Sequence, residues 1–123
     1  MKLSILICTM PSRSEMLKKL TQQLRLLLGK YDESQWEVLI QPDENINVGC
    51  KRNILLQKAS GDFVVFIDDD DEIHDNYIDA FMNAIESNPN ADCIGYRGYI
   101  TFDGTSRKDW VISITCKTWY EEN

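Results

Sequence analysis

The sequence of 123 residues predicts an α/β fold, a mainly parallel sheet with helices on both faces and late antiparallel strands. Three observations predict it. Short apolar runs alternate with stretches of helical periodicity, as in β-α-β units. Phe63-Val64-Val65-Phe66-Ile67 contains no polar residue, the pattern of a strand covered on both faces. Two later runs flank Asp103-Gly104, a hairpin signal.

The elements follow in order. Leu3 to Cys8 reads as the first strand. Ser12-Arg13-Ser14-Glu15 fits a capping box, with Ser12 as the N-cap. Leu17, Leu20, Leu24, Leu27 and Leu28 recur at helical spacing, and Gly29 stops the helix. Trp36 to Ile40 is the second strand, ended by Pro42, with a polar loop from Asp43 to Asn47. A short helix runs from Gly49 or Lys51 to Ala59, with Ile54 and Leu55 inward and Gly61 closing it. The third strand is Phe63 to Ile67. A helix from Asp75 to Glu86 presents Tyr77, Ile78, Phe81, Met82 and Ile85. Cys93 to Phe102 and Trp110 to Thr115 make the late hairpin. The length suits one domain, residues 1–123, with no linker or repeat.

The third strand runs straight into Asp68-Asp69-Asp70-Asp71-Glu72. Adjacent carboxylates repel, and no basic residue lies among them. A hard divalent cation, Mn²⁺ or Mg²⁺, would relieve the repulsion, and such ions take one or two carboxylates plus phosphate oxygens. If the chain stays extended, Asp68 and Asp70 share one side and Asp69 points the other way. The plain alternative is an acidic opening to the next helix. It suits Asp71, Glu72 and Asp75 better than four successive aspartates at a strand end.

Composition narrows the function. Net charge is −7, with 13 basic and 20 acidic residues, so no basic stripe offers itself to nucleic acid. A nucleotide remains compatible, because a metal can neutralise its diphosphate. Cys8, Cys50, Cys93 and Cys116 lie far apart without a Cys-x-x-Cys pair, which argues against zinc. Cys8 and Cys93 sit in apolar runs and read as core thiols of a reduced compartment. The N-terminus lacks the apolar core and small residue of a signal peptide, and no run approaches the ~20 apolar residues of a membrane span. A cytoplasmic protein without a transmembrane segment is the expectation.

In this setting four motifs occur in order. Leu3 to Cys8 leads into Thr9-Met10-Pro11-Ser12-Arg13. Glu37-Val38-Leu39-Ile40 leads into Gln41-Pro42-Asp43-Glu44. Asn47-Val48-Gly49-Cys50-Lys51-Arg52-Asn53 precedes Ala59-Ser60-Gly61-Asp62. Phe66-Ile67 leads into Asp68-Asp69-Asp70. With these the chain resembles the family-2 glycosyltransferases of the GT-A fold, over roughly residues 1–86. The resemblance implies a three-layer α/β/α Rossmann-like domain that binds a nucleotide-diphospho-sugar of UDP or GDP type. It implies that Thr9 and Pro11 line the base pocket, with Asp43 near the base and Glu44 competing for that place. Arg52 lies beside the nucleotide, and Asn53 shapes the loop. Asp68 approaches the ribose and the metal, Asp70 holds the metal, and Asp69 between them belongs to the nucleotide-binding set.

The resemblance thins beyond that point. Inverting members use an acidic general base past the Asp-x-Asp strand to deprotonate the acceptor. Glu121, Glu122, Asp103 and Asp109 are the late acids here, and none matches a motif. The fold is therefore expected to be truncated, its acceptor half missing. A shortened sheet with an open edge predicts a homodimer. His74 at a helix start reads as solvent-exposed, and Trp36, Trp110 and Trp119 read as packing residues. Other strand-end aspartate folds fit less well. A receiver needs an acidic pair where Cys8-Thr9 stands, and a dehalogenase-type phosphatase needs its motif on the first strand. Neither a Gly-x-Gly-x-x-Gly nor a complete EF-hand loop is present. A metal-dependent glycosyltransferase and a non-catalytic nucleotide-sugar or metal-binding module both remain open.

Overall fold

A computed structural model of the chain describes residues 1–102 and 106–111. The chain divides into two compact units, Met1–Pro89 and Asn90–Asn123.

The first unit is built on a three-stranded parallel sheet of β1 (Leu3–Cys8), β2 (Trp36–Gln41) and β3 (Phe63–Phe66), in the order β2-β1-β3. The register pairs Ile5 with Val38 on one side and with Val65 on the other. Leu3, Ile5, Leu6 and Ile7 are fully buried, so the central strand carries the core. The apolar run at β3 had suggested a strand covered on both faces. That description belongs to β1. At β3 only Val65 is buried, and Val64 is 40% exposed, because β3 lies at an edge of the described sheet.

Helix α1 (Ser14–Leu28) buries Leu20, Leu24 and Leu28, and α3 (Tyr77–Ser87) buries Ile78, Met82 and Ile85. These two stripes at helical spacing pack α1 against α3. Asp79 fixes the pairing by accepting hydrogen bonds from Lys30 (2.7 Å) and Tyr31 (2.5 Å). Burial first, and then the Asp79 bond, push the Tyr31 hydroxyl up to about 12. Helix α2 (Val48–Lys58) packs on β1 and β2. The connections β1-α1-β2 and β2-α2-β3 cross the sheet in opposite directions. Right-handed crossovers therefore place α1 and α2 on opposite faces, giving the three layers.

Two expected caps differ. The Ser12 capping box does not form. Pro11–Arg13 make a single 3-10 turn that runs into α1, and no side chain caps it. Proline with its fixed φ starts the helical course one step early, and Arg13 bonds back to the Met10 carbonyl at 2.9 Å. Gly29 does end α1, but in right-handed geometry with φ −60°. A side-chain cap does form at α2, where the Asn47 side chain accepts from the Cys50 amide at 2.8 Å.

At the amino ends of the strands Gly61 passes close to β1. A Cβ there would sit 2.7 Å from the Ser4 nitrogen and 2.9 Å from the Lys2 carbonyl oxygen. Only glycine fits that approach.

The second unit contains an antiparallel hairpin of β4 (Arg97–Phe102) and β5 (Ser106–Val111). Gly98 lies opposite Trp110 and leaves room for its indole, which meets the Tyr96 ring edge-on at 5.4 Å. The strands are offset from the expected ones. Cys93 precedes β4 and is exposed, so it is not a core thiol, whereas Cys8 is half-buried. Strand β5 begins at Ser106, four residues before Trp110. The Asp103-Gly104 turn, the segment 112–115, Cys116, Trp119, Glu121 and Glu122 lie outside the described residues.

Candidate functional site

The carboxyl ends of β1 and β3 lie side by side, and the acidic run continues from β3. Extension does not persist through it. The strand ends at Phe66, and the Ile67 amide makes one more bond, to the Leu6 carbonyl at 3.0 Å. The chain then turns, with the Asp71 amide donating to the Asp68 carbonyl at 3.1 Å. This turn, rather than the pleat of a strand, decides which carboxylates meet.

It brings Asp68, Asp70 and Asp71 together. One carboxylate oxygen from each lies within 4.8 Å of the others, and all three residues are exposed. Around an octahedral Mg²⁺ with bonds of ~2.1 Å, neighbouring oxygens are about 3.0 Å apart and opposite ones about 4.2 Å, so binding would draw the trio together by up to about 2 Å. Three hard oxygen donors without sulfur or imidazole suit Mg²⁺ or Mn²⁺ rather than zinc. Asp71 had been expected to lead into the next helix. It joins the cluster instead, since α3 begins only at Tyr77. Although the residue is exposed, partial desolvation of its carboxyl and the charges of Asp68 and Asp70 push it above the ordinary range.

Asp69 behaves differently from its neighbours. It is 3% exposed. Its Oδ2 accepts from Thr9 Oγ1 at 2.8 Å and its Oδ1 from Arg13 Nη1 at 2.9 Å. Both oxygens face the protein, which separates Asp69 from the ligand-facing set in which the sequence had placed it. Thr9, just past β1, is also buried; its amide donates to Gln41 and its carbonyl accepts from Lys51 Nζ at 2.7 Å. Pro11 is exposed at the start of the 3-10 turn.

Arg52 stands on the exposed side of α2. Its Nη2 is 3.5 Å from Asp68 Oδ1, and its guanidinium lies over the Phe66 ring at 5.8 Å. Asp43 is exposed in the loop after β2, where it accepts from the Asn45 amide at 2.9 Å. His74 is exposed, and its Nδ1 accepts from the Asn76 amide, so its ring serves the chain entering α3. Gln23 of α1 donates to the Ile73 carbonyl at 2.8 Å and holds the exit of the acidic loop. Asp109 pairs with Arg107 at 2.7 Å on the exposed hairpin.

Three residues of this neighbourhood were not singled out from the sequence: Asp71, Lys51 and Arg13. Lys51 left a signal. It precedes Leu55 by four residues, so both occupy the buried face of α2, where Lys51 is 3% exposed. Arg13 closes the turn motif after the first strand, but its pairing with Asp69, 56 residues away, left no signal.

The parallel sheet with helices on both faces places this unit among the open α/β folds, a class whose ligands collect beyond the carboxyl ends of the strands. The family model described as glycosyl transferase family 2 matches residues 13–121. The chain belongs to that family. The match includes the acidic loop and Arg52, and begins after Thr9 and Pro11. No curated protein and no solved structure gives a significant match. No helix among the described residues is long and apolar enough to cross a membrane.

Proposed function

We propose that the chain is the donor-binding domain of a metal-dependent glycosyltransferase that takes its sugar from a nucleotide-diphospho-sugar. The observation that carries this reading is the trio Asp68, Asp70 and Asp71, gathered within 4.8 Å at the end of β3 in a family-2 chain. A bound Mn²⁺ or Mg²⁺ would neutralise the diphosphate and stabilise charge on the departing nucleotide. Asp70 and Asp68 would hold the ion, with Asp71 as a third ligand.

The residues around the trio suit a nucleotide. Connections from β1 and β2 part to opposite faces, and such crevices accept nucleotides beyond the strand ends. The Thr9-Met10-Pro11 segment and Asp43 follow those two strands, which supports placing the base between them. Arg52, on the exposed side of α2, would reach the diphosphate. A UDP or GDP donor fits these groups. Cys8, Cys50 and Cys93 are free thiols, in keeping with a reducing, cytoplasmic setting.

Thermal unfolding in the presence of UDP, GDP, CDP or dTDP, each with Mn²⁺ and with EDTA, tests the proposal. At a nucleotide concentration 100 times Kd, the stabilisation expected is about 2.7 kcal/mol. It should vanish with EDTA and in Asp70→Asn. No shift with any nucleotide and Mn²⁺ overturns the reading. A shift without donor hydrolysis or transfer identifies a binding module instead.

A further inference from the structure

We infer that Asp69 is a positioning residue, a latch through which Thr9 and Arg13 set the spacing of Asp68, Asp70 and Asp71 and so tune their affinity for a divalent cation. This inference rests on the metal reading above and goes beyond it. Four successive residues share one side-chain chemistry, yet the fold sorts them. Asp68, Asp70 and Asp71 are exposed, and Asp69 is buried with both oxygens engaged.

The groups that hold Asp69 are themselves held. The Thr9 hydroxyl donates to Asp69, its amide donates to Gln41 at the end of β2, and its carbonyl accepts from Lys51. Lys51 is buried on α2, so its ammonium is committed to this contact region. Arg13 adds a charge-assisted bond from the 3-10 turn that opens α1. The acidic loop is thereby tied to the ends of two strands and to the starts of two helices. Gln23 secures its exit at Ile73.

The latch has work to do. Three like charges within 4.8 Å push the turn open, and no covalent link resists them. Turning Asp69 inward draws the backbone between Asp68 and Asp70 against β1. The outward carboxylates are then held close enough for a small cation to draw them together. A site organised before binding loses less free energy on ordering than one that must assemble. A merely acidic, floppy loop would bind weakly and with little preference among divalent ions.

The test is the Kd for Mn²⁺, read from the EPR signal of unbound Mn²⁺ without nucleotide, in the full chain. Thr9→Val and Arg13→Gln remove no carboxylate, yet each should weaken Mn²⁺ binding by about tenfold, as loss of a ligand-orienting partner does elsewhere. Thr9→Ser should restore the affinity, and circular dichroism should show every variant folded. If Asp69→Ala weakens binding while Thr9→Val and Arg13→Gln match the wild type, Asp69 is itself a ligand and the latch is overturned. If the wild type binds no Mn²⁺, the metal reading falls, and amide exchange then decides the latch. Faster exchange at Asp71 in Thr9→Val, with β1 amides unchanged, supports it. Equal protection in both proteins overturns it.

Discussion

The two ends of the three-stranded sheet handle negative charge in opposite ways. At the amino ends, Glu37 of β2 is surrounded by donors. Its Oε1 accepts from Ser4 Oγ (2.6 Å), the Ser60 amide (2.6 Å) and Ser60 Oγ (3.0 Å), and Lys2 Nζ lies 3.4 Å from Oε2. Burial alone would raise the Glu37 carboxyl, but these bonds outweigh it and hold it down to about 2. At the carboxyl ends, Asp68, Asp70 and Asp71 crowd together. Arg52 is the one cation in an ion pair with them among the described residues. Glu37 is a carboxylate the fold has finished neutralising. The aspartate trio is left for something else to neutralise, and Asp69 beside it is the exception, satisfied from within.

The largest effect should come from the finished end. A carboxyl lowered from 4.5 to about 2 corresponds to roughly 3 kcal/mol of folding stability. Because the folded value is the lower one, that contribution is present above pH 4.5 and is lost as pH falls toward 2. Glu37→Gln should therefore destabilise the protein by up to about 3 kcal/mol at pH 7 in urea unfolding. The gap between variant and wild type should close on acidification. A gap independent of pH would mean that Glu37 acts through packing and not through charge.

The unfinished end should respond with the opposite sign. Asp71 is raised from its ordinary value of 3.8, so the folded state holds that proton more tightly than the unfolded chain. Stability contributed by this group therefore falls as pH rises above 3.8. Asp71→Asn should be more stable than wild type at pH 7, by about 0.5 kcal/mol for an exposed group, and equal to it at pH 3. Added Mn²⁺ should reverse the order, because the ion takes the place of the missing proton. If Asp71→Asn were destabilising at pH 7 without metal, the trio would be held by contacts stronger than its own repulsion.

The sequence carried much of this contrast, but unevenly. Strand β1, the leucine stripe of α1 and the apolar face of α3 follow from periodicity, because the buried positions are set by local geometry. The acidic strand end was legible for the same reason, as a charge run against an apolar one. What escaped was pairing at long range. Ser4 with Glu37, Thr9 with Asp69 and Arg13 with Asp69 are separated by 33, 60 and 56 residues. No spacing rule reaches that far. Alternation along an extended strand paired Asp68 with Asp70, and the turn that adds Asp71 and buries Asp69 depends on β1 lying alongside. The strand thought to be covered on both faces turned out to be an edge, because composition reports apolarity and not neighbours.

An effect of similar size belongs to Arg52, the residue that links the two behaviours. Its contact with Asp68 is 3.5 Å long between side chains 48% and 55% exposed, so the ion pair is worth at most about 1 kcal/mol. Arg52 partly neutralises the trio and so competes with a cation for Asp68. Arg52→Gln should then tighten Mn²⁺ binding to the free protein by about two- to fivefold. If Arg52 also serves the diphosphate, the same change should weaken nucleotide binding in the presence of Mn²⁺. Calorimetric titration of each ligand reads both signs in one variant. Weakening of both would make Arg52 an organiser of the acidic loop, and equal affinity for both would leave it a solvated surface residue.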